Sequence, residues 1–333
     1  MSSELSNILP NGKNDSLFLD QKLRPSSWGD YVGQEHIKQN LNILLTAAKE
    51  RGHPPEHLLF YGPPGLGKTT LAHLIASESK SQLKVTSGPA IEKVGDLASL
   101  LTNMNPGDIL FIDEIHRLNK MVEEVLYPAM ESGVLDIIIG KGPSARTIQL
   151  ELPAFTLIAA TTRIAALSAP LRSRFGGGVF RLEFYTNDEI ARIVTRSADI
   201  LGVSLEPGAA LAIAQRARFT PRTANHFLKR ARDFAQVHKV PLDEKVVREA
   251  LALLEVDELG LGTPDRELLT VMIEKFNGGP VGLNTLAAAT AEEMATIEEV
   301  YEPYLLKLGF IERTPRGRTV TPKAYTHLGF DLK

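Results

Sequence analysis

A glycine-rich loop, GPPGLGKTT at residues 62–70, places the strongest constraint on how this chain can fold. The apolar run HLLFY precedes the loop and a helical pattern follows it, which is the strand–loop–helix context of a phosphate-binding loop, or P-loop. Glycines such as Gly65 and Gly67 let successive backbone N–H groups point at one phosphate chain. Lys68 supplies a positive charge for the β- and γ-phosphates, and the Thr69 hydroxyl suits a Mg²⁺ ligand. The loop therefore predicts a site for ATP and Mg²⁺.

The run ILFIDE at residues 109–114 carries a second motif. An apolar strand there delivers Asp113 and Glu114 to its C-terminal end, where open α/β sheets bind their ligands. We expect Asp113 to hold the Mg²⁺ shell through water and Glu114 to orient and deprotonate the attacking water. Adjacent acids can also merely begin a helix, but the P-loop favours the catalytic interpretation.

Further polar residues follow the later apolar runs. Thr161 or Thr162 could place a hydroxyl between the water and the γ-phosphate, although a threonine at a strand end needs no function. Arg172 and Arg174, in SAPLRSRFGGG, are either solvated charges or an arginine finger that enters a neighbouring subunit's ATP site. Arg222 lies in the first turn of a predicted helix, where a cation is unfavourable against the helix dipole, and this placement suggests a contact with the γ-phosphate.

The character of the chain changes twice along its length. In residues 19–185, four apolar runs (HLLFYG, QLKVTSG, DILFID and FTLIAAT) alternate with helical patterns, which predicts an α/β domain with a parallel sheet and flanking helices. Residues 186–256 show helical periodicity only and predict a small all-α bundle. Residues 257–333 begin with a Gly- and acid-rich linker and predict three helices and a β-ribbon, the outline of a winged helix. Residues 1–18 predict a disordered tail.

The composition excludes several classes of protein. The chain has no cysteine, which rules out a disulfide scaffold, a thiol nucleophile and a cysteine zinc site, and suits a reducing cytoplasm. No apolar run is long enough to predict a transmembrane helix, and the N-terminus does not have the pattern of a signal peptide. The net charge of −3 gives no general attraction to nucleic acid, so any such binding needs a local basic face.

The predicted β-ribbon offers such a face. The segment GFIERTPRGRTVTPKAY places Arg313, Arg316 and Arg318 around a Pro-x-Gly turn. Surface turns also carry arginine for solubility alone, and the segment by itself leaves both interpretations open. If the turn binds DNA, clustered cations suit contacts with phosphates, and nothing in the segment indicates base readout.

A second hairpin is predicted within the α/β domain, at residues 135–150. Two strands there flank a Gly-Pro loop. The run Ile137–Ile139 is more apolar than a single hairpin can bury, which indicates a surface for a partner. Packing of these side chains against the domain itself is the alternative.

Taken together, these motifs resemble those of the AAA+ ATPases and, more narrowly, those of the RuvB family. The resemblance spans about residues 19–330 and is carried by LRPSSWGDYVGQE, GPPGLGKTTLAHLIA, FIDEIHRLN, TPRTANHFLKRARDFA and YEPYLLKLGFIERTPRGR. It implies an ATP-driven homohexameric ring that moves duplex DNA and drives branch migration of Holliday junctions in recombination and repair. It also implies a partner, RuvA, docked on the 135–150 hairpin, and the resolvase RuvC.

The resemblance also implies roles for residues of the nucleotide site. Leu23 and Arg24 would lie at the nucleotide base, and Tyr185 at the junction of the two ATPase domains. Glu131, Ser132 and Gly133 would lie near nucleotide at the subunit boundary. The residues that would hold the phosphates and Mg²⁺ are Gly65, Lys68, Thr69 and Thr70.

Four arginines receive roles in the same way. Arg174 would be the finger, Arg222 the second nucleotide sensor, and Arg313 and Arg318 the contacts to DNA. The three glycines after Arg174 depart from the single glycine of the family pattern, and they predict a mobile loop.

Two other functions share part of this pattern. A clamp-loader-like AAA+ ATPase would share every nucleotide motif, but the winged helix argues against it. An ATP-regulated DNA-binding regulator would use the winged helix to read sequence, and equal affinity for unrelated duplexes would exclude it.

Overall fold

The computed structural model describes residues 19, 21–139 and 146–331. They divide into two compact units, one up to Glu183 and one from Phe184 onward. The predicted tail at residues 1–18 lies outside the described residues. In the part of the chain that the structure describes, no helix is both long and apolar enough to span a membrane.

The first unit is built on a parallel sheet of five strands. In chain order these are β1 (Leu58–Tyr61), β2 (Leu83–Ser87), β3 (Ile109–Asp113), β6 (Thr156–Thr161) and β7 (Gly178–Arg181). Their order across the sheet is β2–β3–β6–β1–β7. The predicted α/β class is therefore confirmed, and the four apolar runs correspond to the first four of these strands. Strand β7 was not predicted, because it is a short edge strand without a buried apolar run.

One helix precedes the first strand of this sheet, and four others lie between its strands along the chain. They are α1 (Glu35–Arg51), α2 (Lys68–Glu78), α3 (Val94–Thr102), α4 (Lys120–Ser132) and α5 (Ala169–Ser173). Strands β3 and β6 are almost wholly buried, which is why their sequences are continuous apolar runs and do not alternate. The largest fully buried side chains of the sheet are Phe60 and Phe111.

The predicted hairpin in this unit is confirmed as a separate antiparallel pair, β4 (Val134–Ile139) and β5 (Arg146–Glu151). Leu135 is fully buried, and Ile137 and Leu150 pack against the core of the domain. Ile148 is 45% exposed. The base of the hairpin thus packs against the domain, while one isoleucine of β5 faces solvent.

The second unit begins with four helices and continues into the winged helix. The helices are α6 (Asn187–Leu201), α7 (Ala209–Arg216), α8 (Pro221–His238) and α9 (Glu244–Ala252). The N-terminus of α6 has a capping box, in which the Thr186 hydroxyl accepts from the N–H of Glu189 and the Glu189 carboxylate accepts from the N–H of Thr186. This bundle confirms the predicted all-α lid.

The winged helix has its own core, which includes the fully buried Phe310 and Leu305. Its elements are α10 (Thr263–Phe276), α11 (Leu283–Thr290), α12 (Met294–Thr296), α13 (Glu302–Leu308), β8 (Ile311–Thr314), β9 (Gly317–Val320) and α14 (Pro322–Leu328). A π-helical turn, Ile297–Tyr301, separates α12 from α13 just before Pro303, which has no N–H to donate. Strands β8 and β9 pair antiparallel as the predicted wing.

Candidate nucleotide and DNA sites

The P-loop connects β1 to α2 at the carboxyl edge of the sheet. Gly62, Gly65 and Gly67 have φ angles of 142°, 83° and 100°, a region that side chains with a Cβ rarely adopt. A Cβ at Gly62 would also lie 2.8 Å from the backbone oxygen of Leu182. The N-terminus of α2 has no side-chain cap, and this end of a helix attracts phosphate. The glycines thus fix a loop that curls around the start of α2.

Lys68 is the first residue of α2 and is only 7% exposed. Its Nζ donates to the backbone oxygens of Gly62, at 2.8 Å, and Pro63, at 3.0 Å. These bonds hold the ammonium group inside the loop. Phosphate oxygens at the same place would be stronger, charge-assisted acceptors.

The acidic pair lies at the end of β3. Glu114 has a left-handed backbone, with a φ of 49°, and its N–H donates to Asp113 Oδ1 at 3.0 Å. A non-glycine residue in this conformation is uncommon and often marks a functional site. Because β6 lies between β1 and β3, the threonines at its end lie between the P-loop strand and the acidic pair.

The two threonines have different environments. The Thr162 hydroxyl donates to Glu114 Oε2 at 3.3 Å. Thr161 is fully buried, and its hydroxyl lies 2.9 Å from Nδ1 of His116. The structure therefore brings Thr162, and not Thr161, to the predicted base.

His116 is a residue of this site that the sequence analysis missed. Its Nδ1 lies 2.9 Å from the Thr161 hydroxyl and 3.3 Å from Glu114 Oε2. It thus links the end of β6 to the acidic pair. The only sequence signal was its place two residues after Glu114.

The segment predicted to lie at the nucleotide base is attached to α2. Leu23 is buried, and Nη1 of Arg24 lies 2.7 Å from Nε2 of His73 on that helix. Burial and the nearby Arg24 guanidinium lower the pKa of His73, so its ring favours the neutral form that can accept from Arg24. This contact positions the segment against the helix that begins at the P-loop.

The two arginines of the finger loop are placed differently. Arg172 is exposed, whereas the Arg174 side chain is only 18% exposed. Arg174 Nη2 lies 3.1 Å from Glu131 Oε1, its Nη1 donates to the backbone oxygen of Pro170 at 2.6 Å, and its Cζ lies 4.3 Å from the ring centroid of Tyr127. The structure thus brings Arg174 together with Glu131, and Tyr127 is a contact that the sequence analysis missed.

The glycines after Arg174 pack against the residues that precede and begin β1. A Cβ at Gly176 would lie 2.8 Å from Glu56 Oε2, and one at Gly177 would lie 2.8 Å from the Glu56 backbone oxygen. The N–H of Gly177 donates to the backbone oxygen of His57 at 3.0 Å. Gly177 therefore allows two backbones to approach closely, and Gly176 leaves room for the Glu56 side chain. The predicted mobility of this loop stays a prediction.

Other residues predicted for the site lie at helix ends. Thr69 and Thr70 follow Lys68 in the first turn of α2. Helix α4 ends at Ser132, and Gly133 follows it with a φ of 63°. The predicted roles of these four residues stay predictions.

Two of the residues predicted to lie near the nucleotide belong to the second unit. Tyr185 is buried, and its N–H donates to the backbone oxygen of Phe219 at 3.1 Å. Arg222 is the second residue of α8, as the sequence predicts. Their roles at the nucleotide also stay predictions.

The wing arginines contact a buried carboxylate. Glu302 is fully buried and accepts from Arg313 Nε at 2.8 Å, from Arg313 Nη2, and from Arg318 Nε. The side chain of Arg313 is 47% exposed and that of Arg318 is 14% exposed. Arg316 is exposed at the turn, and its guanidinium has no partner among the described residues. The arginines that the resemblance assigns to DNA are therefore also paired within the protein.

Three family models match the chain in succession. The P-loop domain of the Holliday junction DNA helicase RuvB matches residues 23–182. The RuvB AAA lid domain matches residues 185–257, and the RuvB C-terminal winged helix domain matches residues 258–329.

Individual relatives match over nearly the whole chain. The Holliday junction branch migration complex subunits RuvB of Chloroflexus aggregans and Chloroflexus aurantiacus are each 56% identical over 323 residues, which are 97% of this chain and 92% of each relative. A structure of the Holliday junction branch migration motor RuvB of Thermotoga maritima has 49% identity and a TM-score of 0.86. That match covers 94% of this chain and 100% of that one.

Proposed function

The chain belongs to the RuvB family of Holliday junction branch-migration ATPases, and we propose that it works as a homohexameric ring with Mg²⁺·ATP bound between neighbouring subunits. One observation carries the assignment of residues. The P-loop, the acidic pair and Thr162 follow three adjacent strands, β1, β3 and β6, at one edge of the sheet. The oxygen atoms of Thr69 and Asp113 are of the kind that Mg²⁺ prefers, and nucleotide phosphates and water commonly supply its other ligands.

Each polar residue at this edge receives a role in hydrolysis. Lys68 and Arg222 bind phosphate oxygens, and Gly65, Gly67 and Thr70 contribute backbone or hydroxyl groups around them. Glu114 takes a proton from the attacking water. The bond from Thr162 supports its assignment, in preference to Thr161, as the residue that orients this carboxylate and senses the γ-phosphate. Leu23 and Arg24 are assigned to the nucleotide base, and Tyr185 to the junction of the two ATPase domains.

The finger completes the site from a neighbouring subunit. We assign Arg174 to that role and place Glu131, Ser132 and Gly133 beside it at the subunit boundary. The contact with Glu131 supports this assignment, because it joins two residues proposed for one interface. An arginine finger contributes about 10³- to 10⁵-fold to the rate of such reactions.

The wing supplies the DNA contacts in this proposal. Arg313, Arg316 and Arg318 bind phosphates of any sequence, which is the mode that a sliding motor needs. The β4–β5 hairpin docks on the junction-binding partner RuvA, and the complex hands the junction to RuvC. The exposed Ile148 supports the hairpin as a docking surface. A DNA substrate of this kind makes the cytoplasm the expected site of action.

The test is branch migration of a synthetic four-way junction with ATP and the RuvA partner. We expect the wild-type chain to convert the junction to two duplexes and Lys68→Ala to lose this activity. Glu114→Gln should keep ATP binding and lose turnover, because the amide cannot accept the proton from water.

Glu124→Gln is the matched control, since Glu124 forms an exposed pair with Lys120 on α4 and has no assigned role. Normal turnover by Glu114→Gln would contradict the proposed mechanism. ATP hydrolysis by the wild type without movement of the junction would be consistent with the proposed nucleotide site and would contradict the proposed role in DNA movement.

A further inference from the structure

The lid and the winged helix meet, inside the second unit, at the turn between α7 and α8. Arg218 and Phe219 in this turn both have left-handed backbones, with φ angles of 54° and 56°. Two consecutive bulky residues adopt this conformation only where their surroundings hold them. The contacts of their side chains show what holds them.

Arg218 reaches from the lid to three parts of the winged helix. Its Nη1 and Nη2 donate to the two carboxylate oxygens of Asp265 on α10, at 3.2 and 2.9 Å. Nη2 also lies 3.4 Å from the backbone oxygen of Val300, and Cζ lies 4.6 Å from the ring centroid of Tyr304 on α13. Asp265 is 1% exposed, so this bidentate pair is largely shielded from water.

Phe219 extends the same contact to the first residues of the unit. Its ring centroid lies 5.8 Å from that of Tyr304 and 6.3 Å from that of Phe184. Its backbone oxygen accepts from the N–H of Tyr185 at 3.1 Å. The turn therefore joins the start of the lid, the lid helices and the winged helix.

The connecting segment between the lid and the winged helix is also fixed, although its composition predicts a linker. Asp257 Oδ1 accepts from the N–H groups of Leu259 and Leu261, at 2.9 and 2.8 Å. Gly260 has a φ of 79°, and a Cβ there would lie 2.2 Å from the backbone oxygen of Arg216 on α7. Gly260 thus lets the connecting segment pack closely against the backbone of α7.

The turn leads directly into the helix that carries Arg222. Thr220 caps α8, and its hydroxyl accepts from the N–H of Thr223 at 3.4 Å. Arg222 lies in the first turn of α8, four residues after Arg218. A displacement of Arg222 at the nucleotide would therefore pull on the same turn that contacts the winged helix.

We propose that Arg218 and Asp265 are positioning residues that make the lid and the winged helix one rigid lever, so that movement at Arg222 is transmitted to the wing. This inference rests on the proposed function, in which Arg222 senses nucleotide and the wing holds DNA. The pair contributes to the coupling between hydrolysis and DNA movement, and its loss should uncouple them.

The first experiment measures rigidity and does not depend on activity. The chain contains no cysteine, so Val237→Cys on α8 and Glu312→Cys on the wing, both exposed positions, introduce the only two sites for spin labels. We expect a narrow distribution of distances between the labels in the parent chain and a broadened one in Arg218→Ala. A broad distribution in the parent, or an unchanged one in the variant, would overturn the proposal.

The second experiment measures coupling as junctions converted per ATP hydrolysed. In Arg218→Ala we expect ATP turnover and duplex affinity within about twofold of the wild type and coupling lower by about tenfold. Arg218→Lys should show the same defect, since lysine keeps the charge and loses the bidentate geometry, and it guards against a variant that fails to fold. Normal coupling in a folded Arg218→Lys would overturn the inference.

Arg248→Ala is the matched control, because Arg248 forms an exposed pair with Glu244 on α9, within the lid. It should leave both readouts unchanged. Failure of the wild type itself to move junctions would contradict the proposed function, and the label distances would still decide whether the lever is rigid.

Discussion

At the scale of single residues, the three wing arginines differ in what they contact within the protein. Arg318 is largely covered and shares Glu302 with Arg313, whereas Arg316 is exposed at the tip. A guanidinium that pairs with a buried carboxylate contributes to the stability of the wing, and an exposed one does not. The two kinds of arginine should therefore separate DNA binding from stability.

We predict that Arg316→Ala weakens binding to unrelated duplexes equally, lowers the salt slope of binding by about one, and leaves the unfolding midpoint unchanged. Arg318→Ala should weaken binding and also destabilise the chain by about 1–3 kcal/mol, because Glu302 stays buried with fewer donors. Duplex titrations at several salt concentrations and urea unfolding measure both effects. A loss of stability in Arg316→Ala, or none in Arg318→Ala, would contradict this division.

The sequence predicted the wing arginines but not their carboxylate partner. Arg316 and Arg318 belong to a local cluster of charge around a turn, which is visible in the sequence. Glu302 lies 11 residues before Arg313 and 16 residues before Arg318, on another element. Only the packing of α13 against the wing brings this carboxylate to the two arginines. Tyr127 was missed beside Arg174 for the same reason, since their contact depends on how the end of α5 packs against α4.

At the scale of elements, His57 connects three parts of the first unit. Its Nδ1 accepts from the N–H of Leu157 on β6 at 2.9 Å, and its Nε2 lies 3.1 Å from the backbone oxygen of Met130 on α4. Only the neutral ring with its proton on Nε2 satisfies both contacts. Burial lowers the pKa of His57, against smaller opposing effects of the Met130 bond and of Glu56.

The sign of the pH dependence follows from this direction. Because the pKa of His57 is lower in the folded state, the unfolded chain binds a proton more readily, and stability is lost as the pH falls below the unfolded value of about 6.5. We predict that His57→Gln shows a smaller loss of stability than the wild type between about pH 7 and 5.5. Urea unfolding across this range measures the difference, and parallel curves for the two chains would contradict it.

The degree of burial explains why some strands could be predicted from the sequence and β7 could not. Strands β3 and β6 are buried on both faces, so their sequences are continuous apolar runs. Strand β7 lies at the edge of the sheet and alternates between half-buried and exposed residues over only four positions. Gly176 and Gly177, which precede this strand, lie close to Glu56 and His57 just before β1, a contact that the sequence does not reveal.

At the scale of the whole molecule, the proposed ring requires each ATP site to draw residues from two subunits. Lys68 and Glu114 would act in their own subunit, and Arg174 in the next. A head-to-tail ring has one such interface per subunit. Mixing two variants whose defects lie on opposite sides of the interface should therefore restore some intact sites, whereas mixing two variants whose defects lie on the same side should not. Mixing therefore tests the shared site without any need for a structure of the ring.

We predict that Lys68→Ala and Arg174→Ala are each nearly inactive as ATPases on DNA, and that an equal mixture regains turnover. In a randomly mixed ring, about a quarter of the interfaces would join an intact Lys68 to an intact neighbouring Arg174. A mixture of Lys68→Ala with Glu114→Gln is the control, because both defects lie in the same subunit's share of the site and no interface is restored. If the first mixture stays as inactive as its parents, Arg174 does not act across the interface. Recovery in the control would mean instead that Glu114 or Lys68 is supplied by the neighbour, which would reverse the assignment of the site.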